Sequence, residues 1–362
     1  MKAPDHPVPS GDRTMGRLLV QALEMAGHEI SVVSNLRSYL REPNQAYQTS
    51  LLAEAHAEAD RLASRWAGGQ SSQPQLWFTY HNHYKAPDLL GPNLSGRLHV
   101  PYVIVEASHA VRRAAEWGEW HREAERASRT ADAHLCFTGR DKEGLQRLFE
   151  DSARLIELPP FIDVALWPEV NRPVRPGPSR IVTVAMMRPG DKLNSYRLLA
   201  ESLSHLEDVD WHLTIVGDGP AWPEVRAAFG SLPADRLTFT GALPQADLQG
   251  VLAQGDVFAW PGFGEAFGLG YLEAQATGLP VVALNTAGVP SVIENGRTGL
   301  LTSVDIQDYC RALARCLVDA QLRRNLGRTA ARWVRNERAL DRVTPILAHA
   351  LDVATKRAEA SR

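Results

Sequence analysis

The amino-acid sequence predicts an α/β protein made of two doubly wound, parallel-sheet domains. Three observations carry this. Short apolar runs of strand length recur along the chain between stretches long enough for a helix, the alternation that gives parallel strands with helices on both faces. A proline-rich segment without periodicity, Trp167 to Ser179 (WPEVNRPVRPGPS), divides the chain near its middle. At 362 residues the chain is too long for one ordinary domain and suits two. Domains are therefore expected at 1–167 and 180–337, joined by a linker at 168–179 and followed by a terminal helix at 338–362.

Composition narrows the function classes. Hydrophobic residues at 44% and charged residues at 22% are ordinary globular values, and a net charge of −3 gives no overall electrostatic footprint for nucleic acid. Cys136, Cys310 and Cys316 lack metal-ligand spacing, and so sparse and odd a set suggests a reducing compartment. Without a long apolar run or a signal-peptide pattern, a cytoplasmic location is expected, with peripheral contact at the inner membrane face left open.

In the first domain, Ser10-Gly11-Asp12 leads into a helix, because Met15, Leu18, Leu19, Ala22, Leu23 and Ala26 fall at helical spacing and Gly27 ends the pattern. Glu29 to Ser34 (EISVVS) reads as the next strand. Thr49 to Trp66 is an alanine-rich helix, and Leu76 to Tyr80 is a strand that delivers His81, Asn82, His83, Tyr84 and Lys85 at its carboxyl end, the edge where doubly wound sheets place ligands. His81 and His83, two apart on a loop, are weak evidence for a metal site, and binding of a substrate is the preferred reading. Tyr102 to Val105 is another strand; His109 follows it, either as a site residue or as a helix N-terminal histidine beside Ser108 as N-cap. A long helix is expected from His109 to Thr130, then a strand at His134 to Thr138, a helix at Arg140 to Glu150 and a strand at Arg154 to Leu158.

In the second domain, strands are expected at Ile181–Ala185, His212–Val216, Leu237–Thr240, Val257–Trp260, Val281–Leu284 and Gly299–Thr302. The loop after the first carries two cations, Arg188 and Lys192. A glycine turn, Val216-Gly217-Asp218-Gly219-Pro220, follows the second, and Thr240-Gly241 ends the third. The stretch Asp256 to Leu284 (DVFAWPGFGEAFGLGYLEAQATGLPVVAL) is a strand, a glycine-bearing loop, a short helix and a strand. It presents backbone N–H groups and a positive dipole end to a phosphate. Glu265 lies before the helix and Glu273 inside it, with seven residues between them.

Glu265, Phe267, Gly268, Leu269, Leu272, Glu273, Ala274, Gly278, Pro280, Val281 and Val282 resemble, in order and spacing, the signature of the family 4 glycosyltransferases, the retaining enzymes of GT-B fold. The resemblance implies two Rossmann-like domains facing a central cleft and transfer of a sugar from a nucleotide-diphosphate donor to an acceptor hydroxyl with retained configuration. The acceptor is a glycan, a lipid or a small molecule, and the setting fits cell-surface polysaccharide or glycoconjugate synthesis. The resemblance places Glu265 against the donor sugar and Glu273 on the ribose. It puts Arg188 and Lys192 on the diphosphate, with Gly217, Gly241, Phe267, Gly268 and Leu269 lining the nucleotide site. It makes His109 the histidine that approaches the sugar, and Ser10, Gly11, His81 and His83 the acceptor side. No tightly bound cofactor and no metal are implied. Competing readings are another GT-B enzyme, an epimerase or a phosphorylase, and a nucleotide-binding scaffold without turnover. One departure stands out. The family's first domain opens with a central strand before the glycine loop, whereas only MKAPDHPV precedes Ser10-Gly11 here, and its prolines remove ladder donors. The expectation is a first strand missing from this sequence.

Overall fold

The structure is a computed structural model, and it describes residues 3–360 apart from Pro9 and Val174. The chain divides into two compact units, Met1–Pro159 with Asp341–Arg362, and Pro160–Leu340.

The first unit contains α1 (Gly11–Met25), α2 (Gln45–Ala67), β1 (Trp77–Asn82), α3 (Gly91–Leu98), β2 (Tyr102–Ala107), α4 (Ala114–Thr130), β3 (Ala133–Cys136), α5 (Gly139–Gln146) and β4 (Leu155–Glu157). Its sheet is parallel in the order β1-β2-β3-β4. In α1, Met15, Leu18, Leu19 and Ala22 are buried at helical spacing, and the Ser10 hydroxyl caps the helix by accepting from the Arg13 N–H at 3.2 Å. In α2, Leu51, Ala55, Ala59 and Leu62 form the buried stripe; they share a core with Tyr102, Ile104, Trp117 and Trp120.

Two expectations for this unit are corrected. Glu29–Ser34 is not a strand: it is irregular and partly exposed, since β1 is the sheet edge and no ladder partner reaches the segment. Apolar pattern alone does not make a strand when the hydrogen bonds have nowhere to go. The long helix expected from His109 starts only at Ala114, after a 3₁₀ turn at Val111–Arg113, and Gly118 kinks it with φ +49° and ψ −114°. In the N-terminal segment, residues 3–8 and Ser10 form turns and bends without a strand, while Met1, Lys2 and Pro9 fall outside the described residues.

The second unit contains β5 (Ser179–Val184), α6 (Asp191–Ser204), β6 (Trp211–Val216), α7 (Trp222–Ala228), β7 (Leu237–Gly241), α8 (Gln245–Gln254), β8 (Val257–Ala259), α9 (Leu269–Ala276), β9 (Val281–Leu284), β10 (Gly299–Thr302), α10 (Ile306–Val318) and α11 (Ala320–Glu337). Its six strands pair in parallel in the order β10-β9-β8-β5-β6-β7. The order reverses between β5 and β8, the switch point beside which doubly wound sheets open a crevice for ligands at their carboxyl ends. β8 and β9 are buried throughout, which is why they read as continuous apolar runs rather than alternating ones.

The proline-rich stretch is fastened to this second unit. Arg172 donates to the carbonyls of Leu252, Ala253 and Thr277 at the ends of α8 and α9, where the helical hydrogen-bond ladder runs out. The last helix, α12 (Leu340–Ala360), lies almost entirely in the first unit, where Arg357 donates to Asp151 at 2.7 Å.

Candidate active site

Five loops leave the carboxyl ends of β5 to β9, and backbone hydrogen bonds tie them together. Met187 N–H donates to Asp218 O at 2.9 Å, and Gly217 N–H donates to Gly241 O at 2.9 Å. Glycine is obligatory at Gly217: its φ is +151°, and a Cβ there would lie 1.9 Å from the Ala185 carbonyl oxygen. The loop after β9 docks on the loop after β8 just as closely. Gly288 N–H donates to Glu265 O at 3.1 Å, and a Cβ on Gly288 would fall 1.3 Å from Ala266 O.

This framework brings Lys192 and Glu265 together. Lys192 Nζ donates to Glu265 Oε1, and the indole N–H of Trp260 donates to the same oxygen at 2.8 Å. The Lys192 ammonium also stands 5.6 Å from the Trp260 ring centroid, where the ring quadrupole favours a cation. Trp260 is itself fixed: its carbonyl accepts from the Tyr271 hydroxyl at 3.0 Å, and its ring meets that of Tyr196 edge-on at 4.8 Å. Sequence reasoning missed Trp260 as a site residue. Its position at the end of β8, on the ligand edge, was the available signal.

Arg188 lies in the exposed loop after β5, and its side chain has no partner among the described residues. Gly268 is the N-cap of α9 in a left-handed conformation with φ +86°, and Phe267 and Leu269 on either side are buried. Glu273 is half-buried in α9, and its carboxyl has no hydrogen-bond partner among the described residues; burial pushes that carboxyl up to about 7. The second unit therefore gathers a partnered carboxylate, an unpartnered carboxyl, two cations and a helix N-terminus along one sheet edge.

The remaining candidates lie in the first unit. Ser10 caps α1 and Gly11 opens it. His81 and His83 meet edge-on with centroids 4.5 Å apart, and burial lowers His81 to about 4 and His83 to about 2. Both are uncharged at neutral pH. His109 follows β2 in the loop before the 3₁₀ turn, 5.2 Å from the His121 ring, and burial lowers its pKa. Among the described residues no group of three or more His, Cys, Asp or Glu is placed to hold a metal ion, and no helix is long and apolar enough to cross a membrane.

Residues 178–319 match the family model described as "Glycosyl transferases group 1". The second domain is a group 1 glycosyltransferase domain. Over 140 residues the chain is 35% identical to the sulfoquinovosyl transferase of Arabidopsis thaliana, which covers 38% of this chain and 26% of that one. Over 334 residues it is 26% identical to the D-inositol 3-phosphate glycosyltransferase of Paenarthrobacter aurescens, covering 86% of this chain and 80% of that one. Against the GDP-mannose-dependent phosphatidylinositol monomannoside mannosyltransferase of Mycobacterium tuberculosis identity is 32%, over 51% of this chain and 52% of the relative. The chain thus spans a quarter to four fifths of the length of these curated relatives. The sucrose-phosphate synthase of Thermosynechococcus elongatus shares the fold at a TM-score of 0.67 and 19% identity, over 94% of this chain and 92% of that one. Anabaena HepE, solved with UDP-glucose, does so at 0.61 and 18%, over 76% and 78%. The fold is GT-B, and within it residues 178–319 carry the group 1 glycosyltransferase match.

Proposed function

We propose that this glycosyltransferase moves a sugar from a nucleotide-diphosphate donor to an acceptor hydroxyl with retention of anomeric configuration. The observation that carries the reading is the Lys192–Glu265–Trp260 arrangement beside the N-terminus of α9. A departing diphosphate gains negative charge in the transition state, and a lysine, an arginine and helix N–H groups stabilise it. Lys192, Arg188 and the start of α9 are assigned that role, with Gly217, Gly241, Phe267, Gly268 and Leu269 shaping the nucleotide site. Glu265 has one oxygen taken by Lys192 and Trp260, which leaves the other to accept from a sugar hydroxyl. Glu273, without a partner of its own, accepts from the ribose. On the acceptor side the reading places Ser10, Gly11, His81 and His83, with His109 approaching the sugar. No tightly bound cofactor is needed, because the diphosphate itself takes the acceptor proton.

A thermal-shift screen against UDP, GDP and their sugars tests this, since a ligand of the native state raises the unfolding midpoint by mass action. A rise with one nucleotide and its sugars is expected; no rise with any of them overturns the reading. Incubating donor alone separates the alternative enzyme class, because an epimerised product marks an epimerase.

A further inference from the structure

The ends of β1 and β2 carry a distortion that the donor site does not explain. Tyr80 pairs with Val105 and Asn82 with Ala107, but His81 and Glu106, which face each other between those pairs, have φ of +81° and +58°. Left-handed backbone at a bulky residue is strained, and such strain persists where the surroundings over-determine it, commonly at functional sites. Here two strained residues stand side by side at the carboxyl edge of a parallel sheet.

Their side chains make the case stronger. His81 Nδ1 lies 3.3 Å from Glu106 Oε2, yet that oxygen and both His81 ring nitrogens are sealed from solvent and make no hydrogen bond among the described residues. A buried polar atom without a partner is costly, and three at one point call for a group that satisfies them. The titratable neighbours are Tyr80, which lies beside the Glu106 carboxyl, His83 against the His81 ring, Asp12 in the first turn of α1, and Asp141, which feels the Glu106 charge. Burial holds Glu106 up at about 7 and His81 down at about 4. At neutral pH the pair is thus a carboxyl near its midpoint beside a neutral imidazole, a combination that exchanges hydrogen bonds with a hydroxyl.

We propose that Glu106, set against His81, is an acceptor-binding residue of the first domain that takes the hydrogen bond of the acceptor's hydroxyl group. The inference rests on the glycosyl-transfer reading above. It gives a role to Glu106, which the sequence placed only at a strand end, and it joins Glu106 to His81 and the start of α1 at one spot.

The test is Glu106→Gln, with Glu106→Asp as a second variant that keeps the charge. Transfer is followed from UDP-glucose or GDP-mannose to myo-inositol and to methyl α-D-glucopyranoside. Glu106→Gln is expected to lower kcat/KM for the acceptor at least tenfold, mainly through KM, and to lose any limb of the pH profile near 7; Glu106→Asp should be intermediate. The stability arm needs no acceptor. Because glutamine carries no charge to bury, Glu106→Gln should unfold at a higher temperature than the wild type at pH 8, whereas loss of a purely structural residue lowers the midpoint. A lower midpoint, or acceptor kcat/KM within twofold of wild type, overturns the inference alone. A wild-type chain that neither binds UDP or GDP nor turns over their sugars overturns the glycosyl-transfer reading and this inference with it.

Discussion

Single side chains decide the donor chemistry, and they make separable predictions. Lys192→Ala removes the cation that Glu265 Oε1 and the Trp260 ring both engage. It is expected to lower kcat by about 10²–10³, the usual cost of losing one preorganised charge partner, and to weaken nucleoside affinity far less. Equal kcat in mutant and wild type would remove Lys192 from the clamp. Glu273 predicts a pH effect. Its folded-state pKa, about 7, lies above the ordinary glutamate value of 4.5, so the stability tied to its protonated form is complete below about 4.5 and is lost as pH rises through about 7. Glu273→Gln should therefore be the more stable protein at pH 8 and lose its advantage toward pH 4, as thermal melts across that range will show. Titration calorimetry should find nucleotide binding weakened in the same variant, because the amide replaces an acceptor-only carboxylate.

At the scale of loops and elements, the glycines hold the site. Gly288 brings the loop after β9 against the backbone that carries Glu265, and no side chain fits there. Gly288→Ala should displace the Glu265 loop and reduce turnover by an order of magnitude or more, while the core strands keep their hydrogen bonds; retained wild-type turnover would show that the loop adjusts. The elements also show what the sequence could reveal. β8 and β9 were legible because both their faces are buried, which writes an unbroken apolar run between turn signals. Glu29–Ser34 carries a strand's composition yet forms none, because a ladder needs a partner that composition does not encode. α3 was missed because GPNLSGRL holds two glycines, a proline and an asparagine; its Leu94 is buried all the same. Lys192 and Glu265 could be placed on one edge from topology. The roles of Trp260 and Glu106 could not be read beyond their places at strand ends, since an indole's bond to a residue five positions away and a paired left-handed distortion across two strands are products of tertiary packing.

On the scale of the whole molecule, the chain leaves the first unit at Pro159 and returns to it at Asp341. The returning helix α12 buries Val343, Leu347, Ala350 and Ala354 completely, at the i, i+3, i+4 spacing of one helical face. Burying a leucine or valine side chain is worth about 1.5–3 kcal/mol, so this face alone is comparable with the net stability of a domain, roughly 5–15 kcal/mol. Removing 341–362 is therefore expected to destabilise the unit that holds His81, Glu106 and His109. The unit that holds Lys192, Glu265 and Glu273 lies wholly within Pro160–Leu340 and should keep its nucleotide binding. Two measurements on the truncated chain check this: a calorimetric scan, expected to lose or lower one transition, and titration with the nucleotide that stabilises the full chain. A finer variant, Leu347→Ala, should cost about 2–5 kcal/mol for the cavity it leaves, enough to shift that same transition. Loss of nucleotide affinity in parallel with the lowered transition would mean that the second unit depends on α12 for its own fold, and the division of labour between the units would have to be redrawn.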